Sequence, residues 1–248
     1  MNNYPYNENG NLSAMVTAQP QLLLTLSHFG IPMGFGDKTI AQVCEEYGVD
    51  PQFFLLICHV YSNDSYLPSQ RELMNTPMEG LVPYLLRSHD YYLNRRLPHI
   101  GHHLDKIASM LPERAGKAIK GFFKAYLDEV REHFEHEENI VYPHISRLLK
   151  RENDRSFAIK SYLDTHDNLE DKLSDLVQII FKYLPACGDN ASSTSKIEEA
   201  GESMKNDDDA IDMVFDILQL SQDLRKHSLI EDKILGPYVK QLEKNADL

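Results

Sequence analysis

Histidine and glutamate stand four residues apart twice in this chain, in HFEHEENIVYP (133–143) and in HSLIEDKILGP (227–237), at places where the surrounding pattern calls for apolar side chains. Along the first stretch the recurring positions are Ile119, Phe123, Tyr126, Val130, His133, Glu137, Ile140 and His144; along the second they are Met213, Ile217, Leu220, Leu224, His227, Glu231, Ile234 and Tyr238. Steps of three and four mark the buried face of a helix. The two series are in phase, and each Glu is followed by an acidic residue, an Ile and a Pro, so the chain contains an internal repeat. SHDYYL (88–93) and THDNLE (165–170) also repeat each other. They place His89 beside Leu86 and Leu93, and His166 in the series Ile159, Leu163, His166, Glu170, Leu173, Val177, Ile180, Leu184.

Burying an uncompensated carboxylate costs several kcal/mol, and two in one core would consume most of a domain's net stability. His–Glu ion pairs offer one compensation. A pair of divalent metals uses the whole set, with two carboxylates to bridge the ions and four imidazoles to cap them. Residues at i and i+4 lie on one helix face about 6 Å apart, so a His-x-x-x-Glu helix reaches a metal with both side chains. The Glu-x-x-His spacing of ferritin-like sites is absent, and four imidazoles suit iron, zinc, copper or nickel better than magnesium or calcium. Any one of these histidines alone reads as an ordinary core or surface residue; together, in phase on a duplicated pattern, they read as a metal site. Glu170 follows His166 by one turn and is open to three readings: a further ligand, an acceptor for an imidazole N–H, or a solvated rim residue. His136 and His144 flank the site on the second helix and read either as supports behind the ligands or as solvated helix residues; Asp90 and Asp167 read as surface charges, and His28, His59, His99, His102 and His103 carry no site assignment.

Strand signals are nearly absent, and the elements that must position these residues are helices. Four long ones are expected at roughly 79–111, 114–150, 156–184 and 207–240. Short connections, apart from the small and polar ACGDNASSTSKIEEAGESMKN (186–206), argue for an all-α, up-down-up-down four-helix bundle. Pro98 and Pro143 fall inside helical patterns, where each kinks its helix or marks a local end. Short helices are expected around 20–29, after Asp37, and from Asp50 as N-cap with Pro51 at the first helical position. The polar stretch NDSYLPSQRELMNTP (63–77) reads as a linker, which divides the chain into a small helical N-terminal domain (1–77) and the bundle (78–248).

A formal net charge of −13 repels phosphate backbones and anionic membrane surfaces, so neither nucleic acid nor membrane is an expected partner. FFLLICHVY (53–61), the longest apolar run, is too short to span a bilayer, and the N-terminus lacks the pattern of a signal peptide; the expected location is the cytoplasm. Cys44, Cys58 and Cys187 show no Cys-x-x-Cys spacing, which points away from disulfides and thiolate zinc sites. No phosphate loop or dinucleotide fingerprint is present.

At the His and Glu positions the sequence resembles the hemerythrin-like (HHE) domain family, whose signature is His-Asp on the first and third helices and His-x-x-x-Glu on the second and fourth. The resemblance covers about 79–240. It implies a non-haem di-iron centre, oxo-bridged, with His89, His133, Glu137, His166, His227 and Glu231 as ligands, Glu137 and Glu231 bridging, and positions open to oxygen or nitric oxide. LSHFGIPMGFGDKTIAQVCEEYGVDP resembles the short helical domain that precedes the hemerythrin domain in di-iron iron-sulfur cluster repair proteins. Met33 and Gly34 stand where that domain usually carries adjacent cysteines. The combined resemblance implies a protein of the oxidative or nitrosative stress response that supports repair of iron-sulfur centres, with an iron-sulfur protein as client. Reversible binding of O2 or NO for sensing, storage or scavenging is the alternative, and enzymatic turnover of peroxide or nitric oxide a third reading.

Overall fold

The computed structural model describes residues 6–150, 152, 158–163, 169–183 and 198–246, with side chains at all of them except 161, 198–207 and 246. Among these residues the regular elements are all helices, and the pairing of extended backbone is confined to one isolated bridge between Asn11 and Thr39. The expected all-α class is the one observed. None of the described helices is long and apolar enough to cross a membrane.

Five short helices come first: α1 (Leu12–Ala18), α2 (Leu22–Phe29), α3 (Ile40–Tyr47), α4 (Pro51–Ser62) and α5 (Gln70–Asn75). Their starts are set by side chains that accept from the otherwise unpaired first N–H groups. Asn11 caps α1, Thr39 and Gln42 form a capping box on α3, Asp50 caps α4 ahead of Pro51, and Ser69 caps α5. Helices α2 and α3 stop at Gly30 and Gly48, whose φ of 73° and 66° suit residues without a Cβ. Helix α1, and α5 inside the expected linker, were not legible from periodicity: seven and six residues give too few repeats to reveal a face.

Four long helical runs follow, and three of them contain a single wider turn. The first run is α6 (Leu81–Tyr91), a π-helical turn (Tyr92–Arg96) and α7 (Leu97–Met110). The second is α8 (Glu113–His136), a π turn (Glu137–Val141) and α9 (Tyr142–Leu149). The third comprises α10 (Ile159–Leu163) and α11 (Leu169–Tyr183), and the fourth α12 (Glu198–Ile230), a π turn (Glu231–Leu235) and α13 (Gly236–Ala246). Helix α12 thus begins inside the stretch expected to be loop.

Each π turn ends two residues before a proline: Pro98, Pro143 and Pro237. Proline lacks the N–H for the helical ladder and its ring crowds the carbonyl four residues back, so the chain takes up one extra residue in the turn before it. The bonds show the change of register, with Tyr142 N–H donating to Glu137 O and Gly236 N–H to Glu231 O. In the second run the extra residue moves the buried face along by one. Ile140, expected inside, is 42% exposed, while Val141 and Tyr142 are buried at 0% and 2%.

By contacts the chain divides into two compact units, each drawing on the long runs. One comprises Met1–Tyr91, Phe134–Asp167 and Lys226–Leu248. Its core joins side chains of the short helices, such as Leu26, Phe29 and Ile57, with Tyr84, Tyr142, Ile234 and Val239. The Phe29 ring packs 5.0 Å from Phe54 and 4.7 Å from Tyr84 between centroids, and Gly80 leaves room for the Phe53 ring. The other unit comprises Tyr92–His133 and Asn168–Arg225. Here Ile100, Leu104, Ile119, Phe123, Leu173, Ile180, Met213 and Ile217 are buried. Around them, Lys120 pairs with Asp105 at 2.8 Å, Arg96 with Asp216 at 3.2 Å, and Lys172 with Glu129.

Candidate metal centre

Inside the first unit, α6, the end of α12 and the π turns of the second and fourth runs direct polar side chains into an apolar interior. His89 is 1% exposed, Glu137 and Glu231 0%, and His227 5%. Ligating atoms of His89, Glu137 and His227 all lie within 4.8 Å of one another. The Nε2 atom of His89 is the centre of this cluster: Glu137 Oε2 lies at 3.1 Å, Tyr142 Oη at 3.2 Å and His227 Nε2 at 3.3 Å. Glu231 Oε1 completes the group, 3.5 Å from His227 Nε2 and 3.4 Å from Tyr142 Oη. The hydroxyl of Tyr162 donates to Glu137 Oε1.

The ring orientations are fixed from behind. Ser88 donates its hydroxyl to Leu85 O at 2.6 Å, so toward His227 Nδ1, 2.9 Å away, it is an acceptor. That places the imidazole proton on Nδ1 and leaves the Nε2 lone pair facing the cluster. Glu138 Oε1 lies 3.0 Å from His89 Nδ1 and does the same for His89, while the Phe134 ring stacks on it with centroids 3.8 Å apart. A carboxylate or hydroxyl behind an imidazole is a familiar way to orient a metal-binding nitrogen. Burial alone would lower the His89 pKa, but hydrogen bonds to Glu137 and Glu138 and the charges of Glu137 and Glu231 outweigh it, and the net shift is upward. The Tyr142 phenol is pushed well above its ordinary value by burial first and then by Glu137 and Glu231.

A metal ion fits these residues. One imidazole nitrogen carries one proton or one lone pair, so His89 Nε2 can satisfy only one of its three polar neighbours by hydrogen bonding. Ligating atoms of His89, Glu137 and His227 within 4.8 Å of one another are close enough for one ion with bonds of about 2.1 Å to reach all three. Two carboxylates and two imidazoles are a mixed donor set suited to iron, zinc or related ions, and the ion's charge offsets the buried glutamates.

Of the six residues assigned from sequence, the structure brings together His89, Glu137, His227 and Glu231. His133, four residues before Glu137 on α8, is half-buried and belongs to the second unit. His166, with Asp167 and Cys187, lies outside the described residues. Glu170 is half-buried in the second unit, where burial first, and then the charge of Glu170, pushes the Tyr126 phenol up. His144, the last position of the buried series and read either as a support or as a solvated residue, is fully buried and lies 3.1 Å from Glu243 Oε1, and His28 is buried against Tyr84 and Tyr91. Sequence reasoning missed Ser88, Glu138, Tyr142 and Tyr162. Ser88 and Glu138 are the chain neighbours of His89 and Glu137, which was the signal available; Tyr142 is hidden by the π turn.

No curated protein matches the chain. Among protein families, the one described as "Hemerythrin HHE cation binding domain" matches residues 84–239, a span that contains all four clustered residues together with His133 and His166. The chain therefore belongs to the hemerythrin HHE cation-binding domain family.

Proposed function

We propose that this chain is a non-haem di-iron protein whose ligands are His89, His133, Glu137, His166, His227 and Glu231, and that it serves the cytoplasmic response to oxidative or nitrosative stress by supporting repair of iron-sulfur centres. The observation that carries the iron reading is the convergence of His89 Nε2, Glu137 Oε2 and His227 Nε2 beside a second buried glutamate. Membership of a cation-binding family supports it. The repair reading is supported by the resemblance of the first helices to the domain that precedes such centres in repair proteins.

The chain's own residues do three things at this centre. Glu137 and Glu231 supply the negative charge that holds cations in an apolar interior. Glu138 and Ser88 keep two imidazole nitrogens turned inward. Phe134, Tyr142 and the surrounding core exclude bulk water, which strengthens every electrostatic contact inside. Iron, when bound, supplies electron transfer and Lewis acidity.

Metal analysis of protein produced in iron-replete cells tests the first half: two irons per chain are expected, and zinc alone or no metal refutes it. The second half is tested by incubating the iron-loaded protein with an inactivated iron-sulfur enzyme under reducing conditions. Recovery of that enzyme's activity is expected. Reversible uptake of O2 or NO with no recovery would replace repair by gas binding.

A further inference from the structure

The repeat that relates the second and fourth runs breaks at one position of the centre. Five residues after Glu137 stands Tyr142; five residues after Glu231 stands Gly236. In an α-helix a residue five places on faces away from the first, but across a π turn, where the N–H of residue i+5 bonds to the carbonyl of residue i, the two return to one face. Both turns have that bond. In the fourth run the glycine closes against Leu163, whose Cδ1 would lie 2.7 Å from an added Cβ. In the second run a phenol is delivered to the site.

We infer that the Tyr142 phenolic oxygen is a metal ligand, filling a coordination position on the ion held by His89, His227 and the two glutamates. Its Oη lies 3.2 Å from His89 Nε2 and 3.4 Å from Glu231 Oε1, donors on two different helical runs, so it has the spacing of an adjacent ligand toward both. The ring is 2% exposed and lies parallel to within 27° of the His89 imidazole, which leaves it little freedom to swing away. Both phenols donate to a carboxylate, Tyr142 to Glu231 Oε1 and Tyr162 to Glu137 Oε1, but Tyr142 also lies beside the His89 ring nitrogen, and Tyr162 positions a ligand. Ligation forms one iron–oxygen bond and releases the phenolic proton to the medium, with no change in the oxidation state of the iron. A phenolate suits ferric iron, a hard cation, and occupies a position that reversible gas binding would need vacant.

This inference rests on the iron reading above, and the experiment separates the two. The protein is loaded with iron, oxidised to the ferric state, and examined by resonance Raman spectroscopy with visible excitation, alongside Tyr142→Phe and Tyr162→Phe and with the iron of each sample quantified. Wild type is expected to show enhanced tyrosinate ring vibrations from a phenolate-to-iron charge-transfer band. Tyr142→Phe is expected to lose them completely while retaining iron, and Tyr162→Phe to keep them. Iron bound without tyrosinate vibrations in wild type overturns the ligand role and leaves the iron reading standing. Loss in Tyr162→Phe with retention in Tyr142→Phe also overturns it, by assigning the ligand to the other phenol. If Tyr142→Phe fails to fold, the wild-type spectrum and Tyr162→Phe decide between these outcomes, and a chain that takes up no iron refutes both readings.

Discussion

At the scale of single residues, the support behind the imidazoles makes an expectation separate from the ligands themselves. Glu138 is partly exposed and Ser88 buried, yet both act on the same variable, the direction in which an imidazole presents its lone pair. Removing such a partner typically costs 10–100-fold in metal affinity, so Glu138→Ala and Ser88→Ala are each expected to weaken iron binding by about that factor without abolishing it. Competition against a chelator of known affinity measures this; unchanged affinity in both variants would remove the orienting role. His28 gives a pH expectation. Burial, followed by the nearby His227 and His89, holds its pKa down to about 3. The unfolded chain takes up that proton near 6.5 and the folded chain only near 3, so between these values the unfolded state binds more protons and stability falls as pH falls. The slope for one such group is about 1.4 kcal/mol per pH unit, and above pH ~6.5 the contribution is flat. His28→Gln, in metal-free protein followed by urea unfolding, is expected to have a shallower acid limb; one as steep as wild type's would remove His28 as its source.

At the scale of elements, close approach distinguishes two glycines on one helix. A Cβ at Gly116 of α8 would lie 2.4 Å from the backbone oxygen of Ala108, whereas at Gly121 nothing lies within 4 Å. Backbone cannot yield as a side-chain tip does, so Gly116→Ala is expected to destabilise by roughly 1–3 kcal/mol. Gly121→Ala, exposed in the same helix, is expected to stabilise by roughly 0.5–1 kcal/mol. Equal shifts of the urea midpoint in the two variants would refute the packing account. Helical periodicity made much of this legible beforehand. The faces Ile119 to Val130 and Met213 to Leu224 are buried as expected, because long uninterrupted α-helix keeps its phase. It failed where the period changes. Extrapolating steps of three and four through Glu137 put Ile140 inside and passed over Tyr142, because nothing but the downstream Pro143 announced the extra residue. In the first run Leu86 is 38% exposed and Leu85, Ser88 and Tyr92 are buried instead; a series of three positions was too short to fix the face. Partners such as Glu138, next in the chain to Glu137, need a three-dimensional contact to be recognised.

At the scale of the whole molecule, metal is expected to couple to folding. Two fully buried carboxylates carry a desolvation cost that His89, His227 and phenolic hydroxyls offset in part and that a bound cation would offset further. A ligand that binds the folded state alone stabilises it by mass action, about 2.7 kcal/mol at a hundred times its Kd. For a chain of this length each kcal/mol moves the melting midpoint by about 2–4 °C, so chelation is expected to lower it by roughly 5–10 °C. The centre draws its described residues from one of the two contact units. Iron is therefore expected to slow amide exchange most around His89, from Glu137 to Tyr142, and from His227 to Leu235, where the ring supports and π turns lie. Calorimetry with and without chelator, read beside amide exchange of the same samples, measures both effects. A midpoint unchanged by chelation, in protein shown to have lost its iron, would mean that the buried carboxylates are compensated by the protein alone, and the reason for reading them as metal ligands would be gone.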